Sequence, residues 1–279
     1  MKSVAVSIVV PAYNEERDLP LALESFRMQT RQGSEIIVID DGSTDTTRDV
    51  VRQRFPEVLL LEQQHQGTGA ARNLGARRAL GSILVFTDAD IIFEPDTLAK
   101  LVEPIESGVL KAANWYDERV YEPQRLWSKC WQIAHHLPHD SRMPVGYDVT
   151  QSHVLRAVCK DYFWSLGGFD VSKGIHDDHL SPEPVTMLRN VRVYHINPTD
   201  LQEIGATCAW FGKGVVAKGG VLQGIRKLLG TYSLPLSVIK GLHEAWIHRL
   251  PIYVFFKVYL DLAVSWGIVL GLCRQRPAK

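Results

Sequence analysis

The chain has 279 residues, 46% of them apolar, and 31 Lys and Arg balance 31 Asp and Glu. That length can build one sizeable core, the apolar fraction is ordinary for a globular protein, and with zero net charge no nucleic-acid partner is expected. The four cysteines, Cys130, Cys159, Cys208 and Cys273, are scattered without C-x-x-C spacing, which argues against a zinc site or a disulfide framework and for reduced cytosolic thiols.

Taken in chain order, Val6 to Val10 is a short β-branched run broken by Pro11. The stretch from Val4 is too short for a secretory apolar region, and Glu15 and Glu16 stand where a small-residue cleavage site would be needed, so the run reads as the first strand. Pro11-Ala12-Tyr13-Asn14-Glu15-Glu16 turns into a helix predicted over about Leu19 to Gln29. A second apolar run, Glu35 to Ile39, ends in Asp40-Asp41-Gly42-Ser43-Thr44-Asp45 and a helix over about Thr46 to Phe55. A third helix is predicted over about Gly69 to Leu80, and the apolar run Ser82 to Thr87 then ends in Asp88-Ala89-Asp90. Alternating strands and helices imply a mainly parallel sheet with right-handed crossovers, whose strand-end loops gather at one edge.

Three predicted strands thus end in acidic loops at the edge where open α/β sheets bind ligands. Two carboxylates one residue apart can hold Mg²⁺ or Mn²⁺ against a diphosphate, because these cations take oxygen ligands and substrate phosphates. Asp-x-Asp alone is also common in turns and helix caps. The ordered set formed by the motifs at 11–16, 39–45, 67–75 (Gly67-Thr68-Gly69-Ala70-Ala71-Arg72-Asn73-Leu74-Gly75) and 88–90 resembles the family-2 glycosyltransferases of the GT-A fold. The likeness covers about the first hundred residues and resumes at Gly167-Gly168-Phe169-Asp170.

The resemblance implies an α/β GT-A fold, a Rossmann-like mixed and mainly parallel sheet flanked by helices, over residues 1–220. About 1–110 would hold the nucleotide sugar and about 111–220 the acceptor. Pro11 and Tyr13 would form a platform for the base, Glu15 and Asp41 would accept hydrogen bonds from base or ribose, and Ala12 and Asp40 would be further nucleotide-sugar-binding positions. A purely structural account makes Asp41 a helix cap. Arg72 would approach the diphosphate or form a structural ion pair. Asp88, Ala89 and Asp90 would lie at the ribose and metal, with His195 completing the coordination of Mg²⁺ or Mn²⁺. The base that takes the acceptor proton falls in Gly174-Ile175-His176-Asp177-Asp178-His179-Leu180, where the family's Glu-Asp is altered. Aligning Leu180 selects Asp177 and aligning the acidic pair selects Asp178; Asp177 is preferred. The Gln-x-x-Arg-Trp motif of processive synthases is absent, which favours transfer of a single sugar. The aromatic residues of 112–156 are read mostly as core.

From Phe211 to Lys279 ten Lys or Arg face two acids, Glu244 and Asp261, so the tail is basic and apolar together. Residues 250–272 are long enough to span a bilayer, yet Lys257 and Asp261 interrupt them; at i and i+4 these two can pair on a helix. Val221 to Arg249, divided by Pro235, reads as amphipathic helices with Arg226, Lys227, Lys240 and Arg249 facing anionic headgroups. The expectation for 221–279 is therefore peripheral or monotopic attachment at the cytoplasmic side of the cell membrane. A single span or a homodimer contact are the alternatives.

The expected activity is inverting, metal-dependent transfer of one sugar from a GDP- or UDP-linked donor, of the GDP-mannose or UDP-glucose type, to a lipid-linked or other glycan acceptor at the membrane. A sugar nucleotidyltransferase would need a basic Gly-rich triphosphate loop where Pro11 to Glu16 is acidic. A non-catalytic nucleotide-sugar sensor or scaffold would keep Tyr13, Asp41 and Asp90 and lose the base.

Overall fold

The computed structural model describes residues 5–171 and 180–274. The first segment alternates strand and helix: β1 (Val6–Ala12), α1 (Leu19–Arg27), β2 (Ser34–Asp40), α2 (Thr47–Arg54), β3 (Leu59–Glu62), α3 (Thr68–Arg78) and β4 (Ile83–Phe86). β1 is buried along its whole length, as a central parallel strand covered on both faces must be, which is why it carries an unbroken β-branched run. It pairs in parallel with β2 and β4, and β3 adds in parallel outside β2. Pro20 opens α1, where its missing N–H costs no hydrogen bond. The Asp45 carboxylate accepts the backbone N–H of Thr47 at 3.0 Å and so starts α2.

Beyond the Asp-x-Asp loop come β5 (Ile91–Phe93), α4 (Thr97–Glu106), β6 (Ala112–Tyr121), α5 (Leu126–Ala134), β7 (Gln151–Val154), β8 (Ala157–Cys159), α6 (Lys160–Ser165) and β9 (Leu180–Ile196). The strand order is β3-β2-β1-β4-β8-β6-β9-β5, with β7 on β9. Pairing is parallel from β3 to β4 and antiparallel at β4–β8, β8–β6 and β9–β5, while β6 and β9 run parallel. The sheet is mixed, as the sequence led one to expect. Helix α3 packs so closely on it that a Cβ on Gly75 would stand 2.5 Å from Val9 Cγ1, which explains a glycine inside that helix. Two residues earlier on α3, Asn73 makes two hydrogen bonds to the backbone of Phe169, donating to its C=O at 2.8 Å and accepting its N–H at 3.0 Å. The Gly-Gly-Phe-Asp stretch is thereby tied to the sheet domain. Trp115 is in the core, as read from the sequence.

The chain divides into two compact units: residues 1–121 with 140–196, and residues 122–139 with 197–279. The second unit therefore takes in chain on both sides of residue 221, and α7 (Leu201–Leu229) consists of two helical stretches joined at a kink at Gly220, whose φ of 72° is not helical. It is all helical among the described residues: α5, α7, α8 (Leu234–Ile247) and α9 (Tyr253–Arg274). Its core joins Trp131 of α5, Ile204 and Cys208 of α7 and Phe256, Val264 and Ile268 of α9. α7 and α9 cross backbone to backbone; a Cβ on Gly267 would lie 1.9 Å from the Ala209 carbonyl, and one on Gly212 would lie 2.1 Å from that of Val264. Pro235 sits in the first turn of α8. The Lys257–Asp261 pair forms at 2.6 Å, and Asp261 also accepts the Ser237 hydroxyl at 2.7 Å. That buried carboxylate is thus charge-paired and hydrogen-bonded, as burial requires.

Candidate active site

β1, β2 and β4 run parallel, so their carboxyl ends deliver Tyr13, Asp40, Asp41 and Asp88 to one edge of the sheet. The first two loops are stitched together. Ser43 Oγ accepts the N–H of Asn14 at 2.9 Å, Thr47 Oγ1 accepts that of Glu15 at 2.8 Å, and Asn14 Oδ1 accepts that of Thr44 at 2.7 Å. Pro11 and Ala12 are buried within β1, whereas Tyr13 is exposed and its ring centroid lies 4.5 Å from that of His65. Tyr13 and His65 therefore present aromatic surfaces at this edge. His65 escaped the sequence reading because it belongs to no strand or motif.

Asp41 is buried and organises the 63–67 loop. Its oxygens accept Gln63 Nε2 at 2.7 Å and the backbone N–H groups of Gln66 and Gly67 at 2.8 and 2.9 Å, and His65 Nδ1 lies 2.9 Å away. Gly42 has φ +82°, a left-handed conformation that favours glycine, and a Cβ there would approach the His65 amide at 3.0 Å. Buried Asp40 accepts the Ser43 N–H at 3.2 Å through Oδ2, while its Oδ1 has no hydrogen-bond partner among the described residues.

Asp88 lies between two guanidinium groups, with Arg72 at 2.5 Å and Arg156 at 3.0 Å. Arg156 also lies over the Trp115 ring at 4.4 Å from its centroid. Arg72, expected near a diphosphate or in an ion pair, is 2% exposed and directs its NH2 group at Asp88. Arg156 was missed for want of a local signal: β8 sets it beside β4 by antiparallel pairing. Breaking a buried ion pair costs about 3–5 kcal/mol, less where one partner is partly solvated. Asp88 is about one-third exposed. We expect Asp88→Asn to lower stability by about 2–3 kcal/mol in urea unfolding; an unchanged midpoint would show that the two arginines do not depend on this carboxylate.

Ala89 is buried and Asp90 follows it at the entry to β5. The Ile196 N–H donates to the Asp90 carbonyl at 2.8 Å, and His195 Nε2 lies 3.2 Å from Asp90 Oδ2. The structure thus brings together two of the three expected metal ligands, with Asp88 turned to the arginines. Asp90 Oδ1 is buried and has no hydrogen-bond partner among the described residues, a costly arrangement for a carboxylate unless a cation or ligand meets it. The carboxylate oxygen suits Mg²⁺ or Mn²⁺, whereas an imidazole nitrogen suits a transition metal better than Mg²⁺, so the pair fits Mn²⁺ better. No group of three or more His, Cys, Asp or Glu converges on a common point among the described residues, so diphosphate oxygens and water would fill the other positions, as Mg²⁺ prefers. Burial disfavours the charged His195 ring, but the Asp90 carboxylate and hydrogen bonds to Asp90 and Glu118 outweigh that and the opposing charge of Arg142, lifting its pKa to about 9. Glu118 is pushed up by its own burial and brought down further by the hydrogen bond and charge of His195, aided by Arg156 and Arg142, to about 2. Asp177 and Asp178 lie outside the described residues.

Residues 7–163 match the family model for glycosyl transferase family 2. Over 186 residues the chain is 39% identical to an uncharacterized glycosyltransferase of Haemophilus influenzae, covering 62% of this chain and 59% of that one. Over 107 residues it is 37% identical to one of Nostoc sp., covering 37% and 33%. The matches thus span less than two thirds of these relatives' own lengths. Among solved structures, the fold resembles S. aureus TarS in complex with UDP-GlcNAc, with a TM-score of 0.51, 15% identity and coverage of 96% of this chain and 92% of that one. It also resembles the mannosyltransferase PcManGT of Pyrobaculum calidifontis in complex with GDP-Man and Mn²⁺, with a TM-score of 0.52, 18% identity and coverage of 97% and 88%. With the ordered motifs and the sheet that carries them, the family match over more than half its length makes the chain a member of glycosyl transferase family 2, with the GT-A fold.

Proposed function

We propose that this chain transfers a single sugar, with inversion, from a nucleotide-diphosphate sugar to a lipid-linked or other membrane-located acceptor, with Mg²⁺ or Mn²⁺ at Asp90. The observation that carries this reading is the carboxylate of Asp90 at the sheet edge, one oxygen facing His195 and the other buried without a hydrogen-bond partner among the described residues. Tyr13 and His65 offer ring faces to a base, and Glu15 and the Asp41-held loop border the same edge. When bound, the cation offsets the charge that develops on the departing diphosphate. Asp177, or its neighbour Asp178, takes the proton of the acceptor hydroxyl. The acceptor oxygen then bonds to the anomeric carbon, and the bond to the diphosphate breaks with its electron pair leaving on the phosphate. One base and one leaving group suffice for such a single displacement.

The second unit supports the membrane side of the proposal. α8 buries only its small residues, Ser237, Gly241 and Ala245, and turns Ile239, Leu242 and Trp246 outward. Large apolar side chains outside and small ones inside suit a helix lying in an interface. Tyr253–Cys273 is long and apolar enough to cross a membrane, but it buries Phe256, Leu260 and Val264 in the unit's own core. Surface attachment is the favoured reading.

The test is a screen of UDP- and GDP-linked sugars with Mn²⁺ and membrane lipid extract, since TarS and PcManGT hold one donor of each kind. Donor consumption with a lipid product of inverted anomeric configuration by NMR is expected. Binding of a donor without turnover in any combination would make the protein a sensor.

A further inference from the structure

Strand β9 lies between β5 and β6 and so carries His195 between two carboxylates from separate parts of the chain. On one side, antiparallel pairing sets His195 opposite Ile91, the residue after Asp90. On the other, parallel pairing sets it opposite Val120, and Glu118, two residues earlier, shares the face of Val120. The imidazole consequently meets a carboxylate at each nitrogen: Nε2 lies 3.2 Å from Asp90 Oδ2, and Nδ1 lies 3.1 Å from Glu118 Oε1. Glu118 is itself held. Its Oε2 accepts the indole N–H of buried Trp115 at 3.1 Å, and Arg142 Nε stands 3.7 Å from Oε1. The two carboxylates differ: Glu118 is bound on both oxygens, whereas Asp90 Oδ1 is buried with no partner among the described residues.

As an imidazolium the ring would donate one N–H to each carboxylate and so be satisfied at both nitrogens; a cation that took the place of the Nε2 proton would leave the Nδ1–H on Glu118. A metal-binding imidazole needs its far N–H fixed by an acceptor, because that fixes the tautomer and the direction of the other lone pair. We propose that Glu118 is a positioning residue for the divalent-cation site, holding the Nδ1–H of His195 so that Nε2 is directed at the same cation as Asp90. This rests on the reading of Asp90 and His195 as metal ligands.

The test uses the full chain, Mn²⁺ and UDP or GDP. Mn²⁺ affinity is read by EPR, and a coordinated imidazole by nitrogen modulation in pulsed EPR. Loss of a residue that orients a metal ligand typically costs roughly 10–100-fold in metal affinity. Glu118→Gln keeps the shape and is expected to weaken Mn²⁺ binding about tenfold, and Glu118→Ala further, with melting temperature followed alongside; the Gln variant carries the test should the Ala variant fail to fold. Wild-type Mn²⁺ affinity in a folded Glu118→Gln or Glu118→Ala protein, with His195→Ala weakened, would overturn the role of Glu118 and leave the metal site standing. Wild-type affinity and nitrogen modulation in His195→Ala would overturn the metal reading itself, and Glu118 with it.

Discussion

Asp90→Asn is expected to lose on the order of 10²–10³-fold in transfer rate, and EDTA to abolish turnover in the wild-type protein. Neutralising charge on a leaving diphosphate is a demand of the transition state, so its loss falls on the rate more than on donor binding, and a loss of about 3–4 kcal/mol corresponds to that range. Asn keeps the shape of the side chain but gives up the carboxylate charge beside the oxygen that has no hydrogen-bond partner among the described residues. It also weakens the contact with His195, so thermal unfolding must be followed in parallel. Raising Mn²⁺ should restore part of the lost rate. Full activity of the wild type in EDTA would exclude a metal-assisted departure and leave the orphaned oxygen of Asp90 to another cation.

The second large effect lies in the tail. Reversing Arg226, Lys227, Lys240 and Arg249 to Glu should release the protein from anionic vesicles and depress transfer to lipid acceptors, while hydrolysis of the sugar nucleotide stays close to wild type. Each Lys or Arg near an anionic surface contributes about 1 kcal/mol, so removing four cations takes away about 4 kcal/mol, close to a thousandfold in binding, before the repulsion of the new charges. Arg226 and Arg249 are exposed, and Leu222, Leu229 and Trp246 stand outward beside them, so charge and apolar surface act together. Wild-type binding should fall as salt rises. Unchanged vesicle binding by a folded quadruple variant would assign the outward side chains to a dimer contact, which sedimentation would show as a change in mass.

The part of the architecture that was legible in the sequence is the part built from local units. Val6–Ala12 is a parallel strand buried throughout and Ser34–Asp40 one buried over its last four residues, so both are nearly continuous in apolar residues, and each is followed by a helix with its own start signal. Their carboxyl ends carry Tyr13 and Asp41, and that of Ile83–Phe86 leads to Asp88, so both the sheet edge and the family could be read from order and spacing. The Lys257–Asp261 pair was legible for the same reason, since four residues make one turn of helix.

Tertiary structure decided the rest. β6 is half-buried and carries Asp117, Glu118 and Arg119 in a row, so it lacks the apolar signature of a central strand, and nothing in its sequence points to His195. Glu118 and His195 are 77 residues apart and meet only because β9 inserts between β5 and β6 in a fixed register. Likewise Arg156 reaches Asp88 across 68 residues through the β4–β8 pairing, while buried Arg72 reaches the same carboxylate from α3. The tail shows the same division. Its sequence determined that it would be basic, apolar and helical, but which apolar side chains turn inward was decided by helix packing, which puts Phe256, Val264 and Ile268 of α9 in the core and leaves Leu242 and Trp246 of α8 outward.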